Sequence, residues 1–215
     1  MTGADGGRPA PGADHGGTNG PEAEDKAWVR VTTPLSPPAL CHFIADIERL
    51  LRINPMLEVE SFQHLGGGHY CVRTLNLSTG MRLETTLHAT AGEGRVELVY
   101  AQGLKRRTLI EVEADGAGSA LRITDDYSGT PEAERRARLG EVDRSLPPWG
   151  RALHDYLRAY ARWSSFAPWT WYMRRVWLPL KPSARRIVYV LWIVALFEMA
   201  TLLVVLLVWW GARTG

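Results

Sequence analysis

The chain has 215 residues, and its 25 Lys and Arg against 23 Asp and Glu leave a formal charge of +2. That balance, with no basic stripe interleaved with aromatics, excludes a surface built to track nucleic acid. The two cysteines, Cys41 and Cys71, have no metal-ligand spacing; they exclude a disulfide scaffold and are expected as small buried apolar residues.

Residues 1–26 are mostly Gly, Ala, Pro and acid, with too little apolar surface to offset the entropy of ordering, so a disordered leader is expected there. Nothing in it resembles a signal peptide. Trp28 to Thr33 alternates as a short strand. Ser36 followed by Pro37 and Pro38 starts a helix: a capping hydroxyl, then prolines where no donor is needed. Leu40, Phe43, Ile44, Ile47 and Leu51 give that helix one apolar face, and Asn54-Pro55 stops it.

From Leu57 to Ser128 the period becomes two. Strands are predicted at Leu57–Leu65, His69–Leu77, Met81–Ala89, Arg95–Ala101, Arg106–Ala114 and Ala120–Tyr127, with glycine-bearing breaks between most of them. Breaks so short force antiparallel neighbours. Gly66-Gly67-Gly68 has no following helix, Lys or Ser/Thr in register, which makes it a hairpin turn rather than a phosphate loop. The histidines do not assemble; His64 and His69 flank one hairpin with no third ligand, so no metal and no cofactor is expected.

A charged helix is predicted over Pro131 to Asp143. Ser145, with Pro147 and Pro148 in the first turn, caps a second one, whose apolar stripe is Leu146, Trp149, Leu153, Tyr156, Leu157 and Tyr160. Between Pro168 and Pro179 lies a Trp-rich segment, part of a stretch spanning residues 164–182. Trp169, Tyr172, Met173, Val176 and Trp177 fall on one stripe, with Arg174 and Arg175 off it. This segment is expected to lie in a membrane interface, with Trp169 and Trp177 as membrane contacts, ahead of the alternative that it docks on the preceding domain.

Residues 187–210 form an almost unbroken apolar run. As a helix it covers about 36 Å, enough to cross a ~30 Å hydrocarbon core with tilt. About 15 Leu, Ile, Val and Phe at about −0.4 kcal/mol each outweigh about +3 kcal/mol for its single acid, Glu198. Arg174, Arg175, Lys181, Arg185 and Arg186 precede the run and Arg213 follows it. The positive-inside rule then leaves the larger part of this single-pass membrane protein facing the cytoplasm. Glu198 has Ala195 and Thr201 on its face, small enough for another helix to approach. Self-association or docking to a second transmembrane partner through Glu198 is therefore expected, ahead of simple tolerance of a neutral acid.

Strand, helix, antiparallel meander and long helix are the order of the α+β helix-grip fold. The stretch from Ser36 to Pro55, SPPALCHFIADIERLLRINP, resembles the first helical segment of the START/SRPBCC superfamily, and the resemblance covers about residues 27–163. It implies a curved sheet wrapped around the last helix, with an elongated pocket between them for an apolar small molecule. It supplies no shared catalytic motif, so no catalytic residue is assigned.

The residues that fit such a pocket are Tyr70, Leu83, Thr85, Leu98, Tyr100, Thr108, Ile110, Asp125, Tyr127, Trp149, Leu153 and Tyr156, mostly apolar with a few polar points. The alternative is a filled core whose hydroxyls bond locally. Asp125, on an apolar face, must be paired, protonated or at the rim; rim placement or a slipped register is the expectation, ahead of a ligand-binding role. Function narrows to a membrane-tethered carrier of a lipid, isoprenoid quinone or polyketide-like molecule. A membrane-held enzyme of the cyclase or dehydratase kind is the alternative, and a scaffold with a vestigial cavity the third.

Overall fold

A computed structural model describes residues 26–116, 118–128, 133 and 144–214. The leader lies outside the described residues apart from its last position, as does nearly all of the charged helix predicted at Pro131 to Asp143.

Strand β1 (Lys26–Thr33) leads through Pro34 and Leu35 to α1 (Pro37–Ile44). Ser36 takes the extended conformation of an N-cap, yet its hydroxyl makes no capping bond. Pro37 and Pro38 remove two of the donors such a cap would satisfy. The single helix expected to run to Asn54 is two. Asp46 interrupts it and caps α2 (Ile47–Ile53), its Oδ1 accepting from Arg49 N at 3.1 Å. The break is tolerated because the Phe43 carbonyl accepts from the Arg49 guanidinium at 2.7 Å.

Six strands follow: β2 (Leu57–Gly66), β3 (His69–Asn76), β4 (Arg82–Gly92), β5 (Arg95–Tyr100), β6 (Arg107–Asp115) and β7 (Gly118–Asp126). With β1 they form one antiparallel sheet in the order β1-β7-β6-β5-β4-β3-β2. The β2–β3 hairpin turns through Gly66, Gly67 and Gly68, all at positive φ. At Gly68 a Cβ would stand 2.6 Å from the Ala89 carbonyl oxygen, so the turn tolerates no side chain there. One face of the sheet carries cross-strand ion pairs such as Arg73–Glu84 (2.8 Å) and Arg107–Asp126 (2.8 Å). The other carries Val29, Val31, Leu87, Val96, Leu98, Ile110, Leu121 and Ile123, all buried.

Helix α3 (Leu146–Trp163) lies along that buried face against β1. Its approach depends on Gly150, where a Cβ would fall 2.6 Å from Val29 Cγ2. His154 Nδ1 lies 3.1 Å from the Thr32 carbonyl oxygen that accepts from it. Ser145, like Ser36, makes no capping bond to its helix; its Oγ accepts from Asn54 Nδ2 at 3.1 Å, and Trp149 Nε1 donates to Leu50 O at 3.0 Å. The start of α3 is thus tied to the end of α2. Strands at the core of one sheet, gripped against a long C-terminal helix, make this an α+β helix-grip fold.

After α3 the chain makes α4 (Ala167–Tyr172) and a π-helical turn, Met173–Trp177. This segment packs on the domain. Trp169 and Trp177 bring their rings to 6.2 and 5.9 Å from that of Tyr156, and Leu178 is buried. The stripe of Trp169 and Trp177, expected at a membrane interface, is instead turned to the domain, because Tyr156 and Tyr160 extend the α3 stripe and need covering.

The chain divides into two compact units, with the boundary after Leu178. The second holds α5 (Pro182–Thr214), a few residues longer at each end than the apolar run. Among the described residues it is the one helix long and apolar enough to cross a membrane, spanning Pro182–Arg213 with a mean hydropathy of 2.6 in its most apolar 18-residue window. Its apolar side chains are exposed all round, Phe197, Leu203 and Trp210 among them.

Candidate functional site

A cavity of about 340 Å³ opens on the buried side of the sheet, at the end away from β1. Strand alternation builds its floor: Val72, Thr74 and Asn76 of β3 face the same way as Leu83, Thr85 and Leu87 of β4, because Val72 pairs with Thr85 and Thr74 with Leu83. Leu51 and Asn54 from the end of α2, Leu57, and Trp149 from the start of α3 close it from above. Tyr100, the loop Gln102 to Lys105, and Tyr127 form the remaining wall, with Thr79 and Met81 on the other side.

The lining mixes apolar side chains with Asn54, Thr74, Asn76, Thr79, Thr85 and Gln102, and at one end polar groups join into a network. There Thr108 Oγ1 donates to Asp125 Oδ1 at 2.6 Å and lies 3.0 Å from the Tyr100 hydroxyl. A threonine hydroxyl has one proton, so with that proton on Asp125 the tyrosine is the donor of the second bond. Lys105 Nζ meets Asp125 Oδ2 at 2.7 Å and lies 5.8 Å from the centre of the Tyr100 ring. The result is a continuous path, Tyr100 to Thr108 to Asp125 to Lys105, with Tyr100 and Lys105 on the cavity wall. Nearby, Thr85 Oγ1 accepts from Gln102 N at 3.1 Å and fixes the loop across the opening.

Of the twelve residues singled out in the sequence, Leu83, Thr85, Tyr100, Tyr127 and Trp149 line this cavity. Thr108 and Asp125 stand behind its wall, completely or almost completely buried. Asp125 is neither at the rim nor out of register: it pairs directly with Thr108, is 1% exposed, and is held by a lysine and a hydroxyl. Leu98, Ile110 and Leu153 have no exposed surface and belong to the solid core under α1 and α3. Tyr70 is farther along β3, its ring 5.1 Å from Phe62 and 4.9 Å from His64. Tyr156 faces Phe43 and the α4 segment. The pocket is therefore shorter than one running the length of α3, because α3 packs tightly on β1 and only its first turn borders the space.

The sequence reading missed the loop Gln102 to Lys105, the polar residues Asn54, Thr74 and Asn76, and the apolar Leu51, Leu57 and Val72. Two signals were there to find. Val72, Thr74 and Asn76 alternate in phase, and the β5–β6 connection carries a lysine beside an apolar strand. Cys41 and Cys71 are unpaired and half-buried rather than fully buried. The rings of His69 and His88 lie 4.4 Å apart, tilted by 36°, and among the described residues no three His, Cys, Asp or Glu groups converge as a metal site.

No known family model matches the sequence, and no curated protein matches it. Solved structures of similar shape include TTHA0849 from Thermus thermophilus, 15% identical with a TM-score of 0.48 over 61% of this chain and 96% of that one. Protein Ms6760 from Mycobacterium smegmatis is 11% identical, with a TM-score of 0.48 over 69% and 98%. The AHSA1-like protein from Aeromonas hydrophila is 15% identical, with a TM-score of 0.39 over 61% and 93%. These are likenesses of shape, and nothing about ligand or activity passes from them to this chain.

Proposed function

We propose that this protein binds an apolar small molecule carrying one polar group, in the cavity between β3, β4 and the start of α3, while α5 tethers it to a membrane. The observation that carries the reading is the mixed lining of the cavity: Val72, Leu83 and Leu87 alternate in the floor with Thr74, Asn76 and Thr85, while Tyr100 and Lys105 gather at one end. A volume of about 340 Å³ falls at the small end of the range for small-molecule sites, ~300–1,000 Å³. It suits a ring system or a short chain; a long isoprenoid or acyl tail would leave past Met81, which is 42% exposed. Tethering fits such a ligand, since apolar molecules partition into bilayers. The basic residues before α5 favour a cytoplasmic domain.

One observation favours an enzyme of the cyclase or dehydratase kind instead. The Tyr100–Thr108–Asp125–Lys105 path could hand a proton to or from a bound carbonyl compound. Within α5, Glu198 is the position for a contact with a second span, and we place it there in preference to facing lipid. The Thr201 hydroxyl donates to Phe197 O at 2.9 Å, so that face offers small size rather than a spare donor. In a transmembrane association assay Glu198→Leu should weaken the signal.

The deciding experiment purifies the full chain in mild detergent and identifies co-purifying small molecules by mass spectrometry, for wild type and Leu83→Trp. A stoichiometric apolar compound that disappears in the variant, with thermal stability retained, is the expected result. A compound retained by Leu83→Trp, or none in either preparation, would remove the carrier reading.

A further inference from the structure

The segment that covers Tyr156 and Tyr160 has a second side. With Trp169 and Trp177 turned to the domain, Trp171 is left 63% exposed, Phe166 54% and Trp163 44%. Large aromatics so open are uncommon on a soluble surface. They are held in place rather than loose: Phe166 N donates to Trp163 O at 2.9 Å, and Thr170 Oγ1 donates to Ser164 O at 3.0 Å. Arg174 and Arg175 are exposed on the following turn, and Arg162 lies 5.1 Å from the centre of the Trp163 ring. From Tyr156 to Phe197 the sequence contains no acidic residue.

We propose that Trp163, Phe166 and Trp171, with Arg162, Arg174 and Arg175, form a docking surface for an anionic lipid bilayer, so that the domain lies on the membrane rather than swinging on its tether. Aromatic rings with a polar edge suit the headgroup layer, and arginines beside them are drawn to anionic lipid. The occupant follows from the chain itself. Pro182, where α5 begins, comes only a few residues after Arg175, and that stretch reaches at most about 25 Å. This inference rests on the tethered reading of α5, from which the surface would never be far.

The test uses the full chain labelled with 5-fluorotryptophan, in nanodiscs of phosphatidylcholine with and without about 30% phosphatidylserine. Fluorine relaxation is read against dissolved oxygen, which enters lipid, and a gadolinium chelate, which does not. Trp192, within α5, reports on the tether. In phosphatidylserine discs Trp171 and Trp163 should respond to oxygen and be shielded from gadolinium, as Trp192 is. Arg174→Glu with Arg175→Glu should return Trp171 to gadolinium, weakening docking about five-fold per arginine, with Trp192 unchanged. Trp192 open to gadolinium would sink the tether and this surface together. Trp192 shielded with Trp171 open in both lipids would sink the surface alone, as would Trp171 shielded from both agents, which would mean that a protein covers it.

Discussion

Asp125 and Asp126 are adjacent in β7 and point to opposite faces of the sheet. Asp125 is buried with Lys105 and Thr108; removing the ammonium by Lys105→Met strands its charge. Breaking a buried pair costs about 3–5 kcal/mol, and the partial exposure of Lys105 puts the expected loss at the low end. Urea denaturation should show it as a lower midpoint with unchanged slope, and Asp125→Asn, which still accepts from Thr108, should lose less. Asp126 faces the charged side. Burial works against its charge, but bonds from Ser128 and the Arg107 guanidinium outweigh that and hold its carboxyl below the usual range. A depressed carboxyl contributes stability that is complete above its unfolded value and is lost as pH falls through the folded one. Stability should therefore decline below about pH 4, and Asp126→Asn should flatten that decline in thermal melts between about pH 5 and 2.

At the scale of elements, Arg49 joins α1, α2, α3 and, through the tyrosines, α4. Its guanidinium is 4% exposed, bonds the Phe43 carbonyl, and lies 4.1 Å from the centre of the Phe43 ring and 5.6 Å from that of Tyr160. Its Nε, 3.6 Å from Asp46 Oδ2, makes no hydrogen bond. Arg49→Leu would leave the Phe43 carbonyl only its long bond from Asp46 N, 3.4 Å; losing a bond to a charged group costs about 1.5–3 kcal/mol and would loosen the cover above it. Hydrogen exchange should quicken in residues 167–177 while β5–β7 keep their protection; uniform change would mean that Arg49 acts on the whole fold. Strand periods and turn glycines made the sheet legible almost residue by residue, since alternation and antiparallel pairing leave little choice. The α1–α2 break was not legible, because an apolar face at helical spacing runs straight through Asp46 and only a buried arginine makes the interruption tolerable. For the cavity, alternation chose the right face in β4. How far α3 presses on that face depends on a contact between Gly150 and Val29 that no local pattern encodes. Leu98 thus passes from expected lining to core, and Leu98→Trp should cost about 1–3 kcal/mol by overpacking where Leu83→Trp costs less.

For the whole molecule the first strand is the telling one. Each of the other neighbours in the sheet is joined by a short connection, but β1 pairs with β7 across the entire meander, Lys26 opposite Asp126. Closing a loop of about 100 residues costs about 4 kcal/mol in chain entropy, far more than any hairpin in the sheet. Joining β1 is accordingly expected late in folding, after β2–β7 have formed, and α3 then seals it through Gly150. Val29→Ala should raise the unfolding rate and leave the folding rate nearly unchanged in stopped-flow chevrons; equal slowing of folding would put β1 in the nucleus. Until that closure β7 offers a bare hydrogen-bonding edge. With α5 as the proposed tether, copies held in one bilayer would meet at high local concentration, and the leading strand of a neighbour can fill that edge as well as the chain's own. Strand exchange between protomers is the misassembly route this topology opens.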